Sequence, residues 1–200
     1  MLTQLTTIKN RLAIASADTQ YDALLTNAIC AISARFDREC RRTLARTVNA
    51  AQEFDAVETE FCVACYPIET VARFEVKAGE TGGWVEQPAP EYLIRAGCII
   101  SLSAPLGFQP STINHQPLLC RVIYTGGYVL PDAAPEAGQT ALPADLEQAA
   151  VEQAAFWFAN RDRVGVIREW PKGGLYQQFV DIDLVPSVRA VLAKYARVLW

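Results

Sequence analysis

The stretch VIYTGGYVLP, residues 122–131, decides how the rest of the chain is read. A β-branched and aromatic run ends in two glycines, the place where a nucleotide-binding loop often sits. A phosphate loop needs more than glycines. It needs a helix opening directly behind them, so that backbone N–H groups and the helix dipole meet the anion. YVLPDAAP cannot start that helix. The next helical pattern, beginning near Pro143, comes some sixteen residues too late. The glycines also lack the spacing of a dinucleotide site and the Lys-Ser/Thr of a P-loop. Gly126-Gly127 is therefore expected to be a structural turn closing a strand, with at least one glycine at positive φ and Tyr124 and Tyr128 pinning it against helices.

Outward from this turn, the chain changes period twice. Upstream, residues 54–125 read as four or five short, mainly antiparallel strands. They are EFCVACYPIETVARFEVKAG, broken at Pro67, then EYLIRAGCIISLS turning near Gly97, then PLLCRVIYTG. Gly- and Pro-rich stretches between them read as loops. Before the strands, Leu5, Ile8 and Leu12 mark a short helix over 5–12. A long helix is expected over 19–43, with Thr19 and Asp22 as a capping pair. Tyr21, Leu25, Ala28, Ile29, Ile32 and Phe36 form its apolar stripe, with Leu24 at the edge. On this helix Arg35 and Arg42 project beside the stripe, where their stems pack and their heads either reach a partner's carboxylates or simply flank the core.

Downstream, residues 129–141 have the composition of a linker. A helix over 143–161 follows, with Pro143 in its first turn. Leu146, Ala149, Ala150 and Trp157 share one face, and the alanines permit close helix approach. Phe156, Trp157 and Phe158 are consecutive, so they fan out about 100° apart, more than a lone helix buries. Either a later segment or a neighbouring subunit covers them. Residues 163–183 carry no period. A last amphipathic helix is expected over 186–199. The fold class is α+β: a small helical bundle with an inserted antiparallel β-region, in one domain over 1–200.

Composition excludes several functions. The 200 residues are 51% apolar and 20% charged, enough for one core. No apolar run approaches the roughly 20 residues that span a bilayer, so no membrane role is expected. Net charge is −4, unevenly spread: 7 basic and 4 acidic groups in residues 1–50, 4 and 13 in 51–150, 7 and 5 in 151–200. An acidic middle does not grip nucleic acid, which requires phosphate neutralisation. It suits a surface that meets a basic partner or must not hold DNA, or else a solvated sheet face. With a single histidine, His115, a Ser-His-Asp or Cys-His arrangement is not expected. Asp181 and Asp183 alone do not make a cation site. Neither an enzyme nor a cofactor is expected. Cys62 and Cys65 have C-x-x-C spacing, and a zinc or thiol module built on them is the alternative from another class. On a strand, however, positions three apart point to opposite faces, and no second C-x-x-C exists.

The order of four segments resembles the head-to-tail connector (head-completion adaptor) proteins of tailed bacteriophages and prophages. They are DTQYDALLTNAICAISARFDREC, YPIETVARFEV with Ile68 where the family has a second proline, VIYTGGYVLP…LPADLEQAAVEQAAFWFANRD, and LVPSVRAVLAKYARV. The long β-middle and the 163–183 segment depart from the smallest members. The resemblance implies a non-enzymatic virion assembly protein at the head–tail junction, assembled in the bacterial host cytoplasm. It implies a ring of roughly twelve copies under the portal protein, with heterologous contacts between subunits. Such a ring extends the channel through which DNA passes without sequence recognition, and supports the next head-closure or tail protein. Another head-closure or tail-completion role shares the same plan. Arg35 and Arg42, and Phe156, Trp157 and Phe158, are the candidate residues for opposite sides of the subunit contact.

Overall fold

In a computed structural model, residues 1–77, 79, 81–88, 90–106, 119–161 and 184–197 are described. His115, the 163–183 segment and the acidic pair at 181 and 183 lie outside them. Among the described residues the fold is mixed α+β, with four helices and mainly antiparallel sheets. It divides into two compact units: Met1–Cys40 with Leu142–Ala196, and Arg41–Ala141 with Arg197–Trp200.

The first unit is helical. Helix α1 (Leu5–Arg11) and α2 (Asp22–Cys40) come from the N-terminal part, α3 (Ala144–Ala159) and α4 (Pro186–Tyr195) from the C-terminal part. Of the expected stripe, Leu25, Ile29, Ile32 and Phe36 are buried on α2, joined by Cys40; Ala28 and Tyr21, which precedes the helix, are half-buried, and Leu24 is exposed at the edge. Leu146, Ala149 and Ala150 of α3 and Val188 and Leu192 of α4 are buried too. Small residues on α3 let neighbouring helices come close without leaving voids.

Two polar side chains organise this unit. Lys9 is 4% exposed, and its ammonium donates to the carbonyls of Ser16 (3.0 Å) and Asp18 (2.5 Å) and to Asp22 Oδ1 (2.8 Å). Three oxygens match the three donors of an ammonium, so its burial is compensated. One residue thus fixes the α1–α2 connection and the start of α2, and Asp22 serves this ion pair. Gln153, buried on α3, accepts from the N–H of Val185 at 2.9 Å and anchors the entry to α4.

The second unit is a small β-sandwich. One sheet has the order β1 (Thr47–Asp55), β7 (Leu119–Gly126), β3 (Ile68–Lys77), β4 (Val85–Gln87). The other has the order β2 (Glu60–Cys62), β6 (Ile99–Leu102), β5 (Tyr92–Arg95). Strand pairing within both is antiparallel. Phe61, Phe74, Ile100, Leu102, Cys120, Val122 and Tyr124 share the core, with Phe54 packed against it. Ring pairs Phe54–Phe61 (4.7 Å) and Phe74–Tyr92 (5.7 Å) join residues of the two sheets. A short parallel pair, β8 (Tyr128–Val129) and β9 (Thr140–Ala141), brackets an exposed connection.

The β-region begins earlier than expected, at Thr47 rather than near residue 54. Polar TVNAAQEFD hides a strand because only alternate positions, Ala50, Gln52 and Phe54, face inward. The helix also stops short of residue 43. It ends at Cys40, and Arg41 takes φ +52°, which turns the chain out of the helix.

Candidate interaction surfaces

Gly126 and Gly127 stand where three chain segments cross. The N–H of Gly127 donates to Pro67 O (2.9 Å), that of Tyr128 to Leu44 O (2.8 Å) and that of Arg46 to Tyr128 O (2.8 Å). Cys65 Sγ donates to Gly126 O at 3.1 Å. A Cβ on Gly126 would lie 2.6 Å from Cys65 O and 2.7 Å from Pro67 O. One on Gly127 would lie 2.6 Å from Ala45 O, and Gly127 has φ +99°. Both positions are closed to any side chain. The expected structural turn is present, with its positive φ. Its flanking tyrosines find partners in the β-unit, where helices were expected. The Tyr124 hydroxyl accepts from Cys65 N–H (3.0 Å) and donates to Gln52 Oε1 (3.4 Å). The Arg42 guanidinium lies 5.3 Å from the Tyr128 ring.

Arg42 belongs to this crossing. Because the chain leaves the helix at Arg41, Arg42 turns inward and is 5% exposed. Its guanidinium stacks 3.2 Å from the centroid of the Tyr66 ring and donates through Nη2 to Tyr66 O. A planar cation over an aromatic face suits arginine and not lysine. Burial raises the Tyr66 phenol above its ordinary range, and the Arg42 charge works against that shift. The head of Arg42 is thus occupied within its own unit. Arg35, by contrast, lies half-exposed on α2 and pairs with Glu39 one turn on, at 3.8 Å.

The aromatic fan on α3 separates into three environments. Phe158 meets Tyr21 edge-on at 5.2 Å, and the Arg161 guanidinium caps it at 4.3 Å. Trp157 is half-buried, and its indole N–H has no partner among the described residues. Phe156 remains 44% exposed. Of the five candidate contact residues, Arg35 and Phe156 present substantial surface, Arg42 does not, and Trp157 and Phe158 are intermediate.

The acidic middle resolves into a patterned sheet face. Across the four-stranded sheet, Glu53, Arg121, Glu75 and Glu86 stand in register on β1, β7, β3 and β4. Glu75 accepts from Arg73 (2.8 Å) and from Arg121, whose guanidinium also lies 4.3 Å from the Trp84 ring. The bonds from Arg73, then those from Arg121, hold the Glu75 carboxyl below the ordinary carboxylate range. Glu53, Asp55, Glu58, Glu60, Glu86 and Glu91 remain exposed. The second sheet ends at β5, where Leu93 of this edge strand is 71% exposed. The acidic middle was read from sequence as a charged surface or a solvated sheet face, but neither the register of its charged row nor the β5 edge was singled out. The alternation in β1 was the available signal for the first.

The two cysteines of the C-x-x-C pair have different partners. Strand β2 ends at Cys62, so strand alternation does not govern Cys65. The buried Cys65 thiol is engaged by Gly126 O and Ala45 O, whereas Cys62 meets Cys98. Among the described residues, no three His, Cys, Asp or Glu side chains converge where a metal ion would bind. None of their helices is long and apolar enough to cross a membrane.

Among known proteins, no family model matches the chain, and no curated protein matches it. Solved structures do. The chain is similar to one in the neck of an empty gene transfer agent (GTA) particle computed with C6 symmetry, at TM-score 0.57 and 18% identity, covering 97% of this chain and 90% of that one. It also matches a chain in the neck of the native GTA particle computed with C12 symmetry, at TM-score 0.49, 17% identity, and 98% and 90% coverage. At 18% identity the first of these establishes a shared fold: this α+β arrangement is one that a chain of the GTA particle neck adopts.

Proposed function

We propose that the chain is a non-enzymatic structural protein of a phage or prophage virion neck, a head-to-tail connector that assembles into a ring under the portal. The observation carrying this reading is the fold match to a neck chain over 97% of the residues. It stands beside the four ordered sequence segments that resemble the connector family. Phe156 and Arg35 are the exposed members of the contact set and lie on the subunit interface. A ring joins two different faces of each copy, so the two residues need not meet the same surface. The exposed carboxylates of the β-unit line or flank the channel, where like charge keeps passing DNA from adhering. The downstream partner is the next head-closure or tail protein. The virion head–tail junction is its site of action, and the host cytoplasm its site of assembly.

The test is electron microscopy of the purified chain, alone and mixed with the portal protein from the same gene cluster. Ring-shaped particles with the chain stacked on the portal are the expected result. A chain that remains monomeric in both samples overturns the proposal.

A further inference from the structure

A second chemical feature lies at the end of the three-stranded sheet. Cys62 closes β2 and pairs with Ile99, and on the next rung Val63 N–H donates to Cys98 O at 3.0 Å. Ala96 (φ +50°) and Gly97 (φ +68°) precede Cys98, so the chain there is a turn and Cys98 escapes strand alternation. Its side chain lies close enough to Cys62 for the two thiols to act on one another, and both residues are half-buried. Arginines surround them. Arg197 donates through Nη2 to Cys62 O, and the charges of both Arg42 and Arg197 act on the Cys98 thiol. The Nε atoms of Arg42 and Arg197 are buried without hydrogen-bond partners among the described residues. Reactive cysteines sit in electropositive, partly exposed surroundings, and this pair has both features.

We propose that Cys62 and Cys98 are a dithiol modification site, closed to an intramolecular disulfide by a two-electron oxidant of the peroxide class. The Cys62 sulfur attacks one peroxide oxygen. An S–O bond forms, the O–O bond breaks, and water leaves, with Cys62 as a sulfenic acid. The Cys98 sulfur then attacks Cys62 Sγ. The S–S bond forms, the S–O bond breaks, and the hydroxyl departs as water with the Cys98 proton. Two thiols are oxidised by two electrons, and one peroxide is reduced to two waters. Burial, and then Cys62 itself, push the Cys98 thiol up, so it keeps its proton until the second step and acts as the resolving partner. The remaining cysteines are placed differently. Cys40, Cys65 and Cys120 are buried, and Cys30 lies in the helical unit. The bond would staple β2 to the β5–β6 turn and close a loop carrying β3, β4 and β5, which stabilises by restricting the unfolded chain.

The full-length reduced chain, treated with hydrogen peroxide and mapped by non-reducing peptide mass spectrometry, tests this. A linked peptide joining Cys62 to Cys98 and a mass loss of about 2 Da are expected. The melting temperature of the oxidised chain should rise by about 5–10 °C and return on reduction. Cys98→Ser should leave Cys62 trapped as a sulfenic acid, captured by dimedone, with no rise in melting temperature. Pairing of other cysteines, or oxidation of Cys62 and Cys98 to sulfinic acids without a bond in the native chain, overturns the proposal, and the native-chain mapping requires no variant to fold.

Discussion

Gly127 illustrates what a single residue fixes here. Its φ of +99° and the 2.6 Å approach to Ala45 O leave no room for a Cβ, and nothing flexible stands in the way to yield. Gly127→Val should therefore lower unfolding stability by more than about 3 kcal/mol, as strain and backbone clash combine. A urea melt of the variant checks this; an unchanged midpoint contradicts the crossing. Ligand affinity is not the quantity at stake, since no helix N-terminus follows the turn. The turn and its positive φ were legible in VIYTGGYVLP, because only glycine chemistry explains two glycines after an aromatic strand. What the turn crosses was not legible, because Ala45 and Pro67 approach it from distant parts of the chain. Arg42 was misplaced for a related reason. A helical projection assumes the helix continues, and a left-handed Arg41 ended it two residues earlier. Arg42→Lys keeps the charge but loses the planar stack on Tyr66, and should destabilise by about 1–2 kcal/mol, read in the same denaturation. Titration adds a further check. Burial pushes the Cys120 thiol up to about 12, and Cys98, Tyr66 and Tyr124 shift the same way. Each keeps its proton in the fold while the unfolded chain begins to lose it near pH 9–10. Their contributions are intact below that range and decline as pH rises toward 12. Thermal melts between pH 8 and 11 should show that decline, and Cys120→Ala should make it shallower.

At the scale of elements, the helices were the legible part and the strands only partly so. The stripe on α2 and the buried alanines of α3 follow from 3.6-residue periodicity, which every residue of a helix reports. Strand β1 went unseen at its start because Thr47, Asn49 and Gln52 carry little apolar signal, and its pairing with β7 is long-range. Lys9 could not be foreseen as the tie between α1 and α2, since a lysine on a short helix ordinarily faces water. Its three acceptors make it a sharp test. Lys9→Met retains the stem but leaves the Ser16 and Asp18 carbonyls and the Asp22 carboxylate without their donor. The expected cost is about 2–3 kcal/mol, with faster amide exchange confined to the 12–22 region, measured by hydrogen–deuterium exchange.

For the whole molecule, the consequences of Phe156 separate fold from assembly. Its ring is 44% exposed, so Phe156→Glu should leave the melting temperature within about 2 °C of the parent chain. The same change places an unpaired charge in the proposed contact, where it costs several kcal/mol per interface and is multiplied around a ring. From sequence, the three consecutive aromatics signalled that something must cover them. The structure gives Phe158 to Tyr21 and Arg161 and leaves Phe156 exposed. That division was not legible, since it depends on where α2 and the end of α3 meet. The central claim, that this chain builds a ring at a particle neck, is tested most directly by multi-angle light scattering with negative-stain imaging of the chain mixed with its portal. Closed rings of uniform mass on the portal, lost in Phe156→Glu while its fold persists, are the expected result. A parent chain that stays monomeric at every concentration beside an assembled portal contradicts the claim.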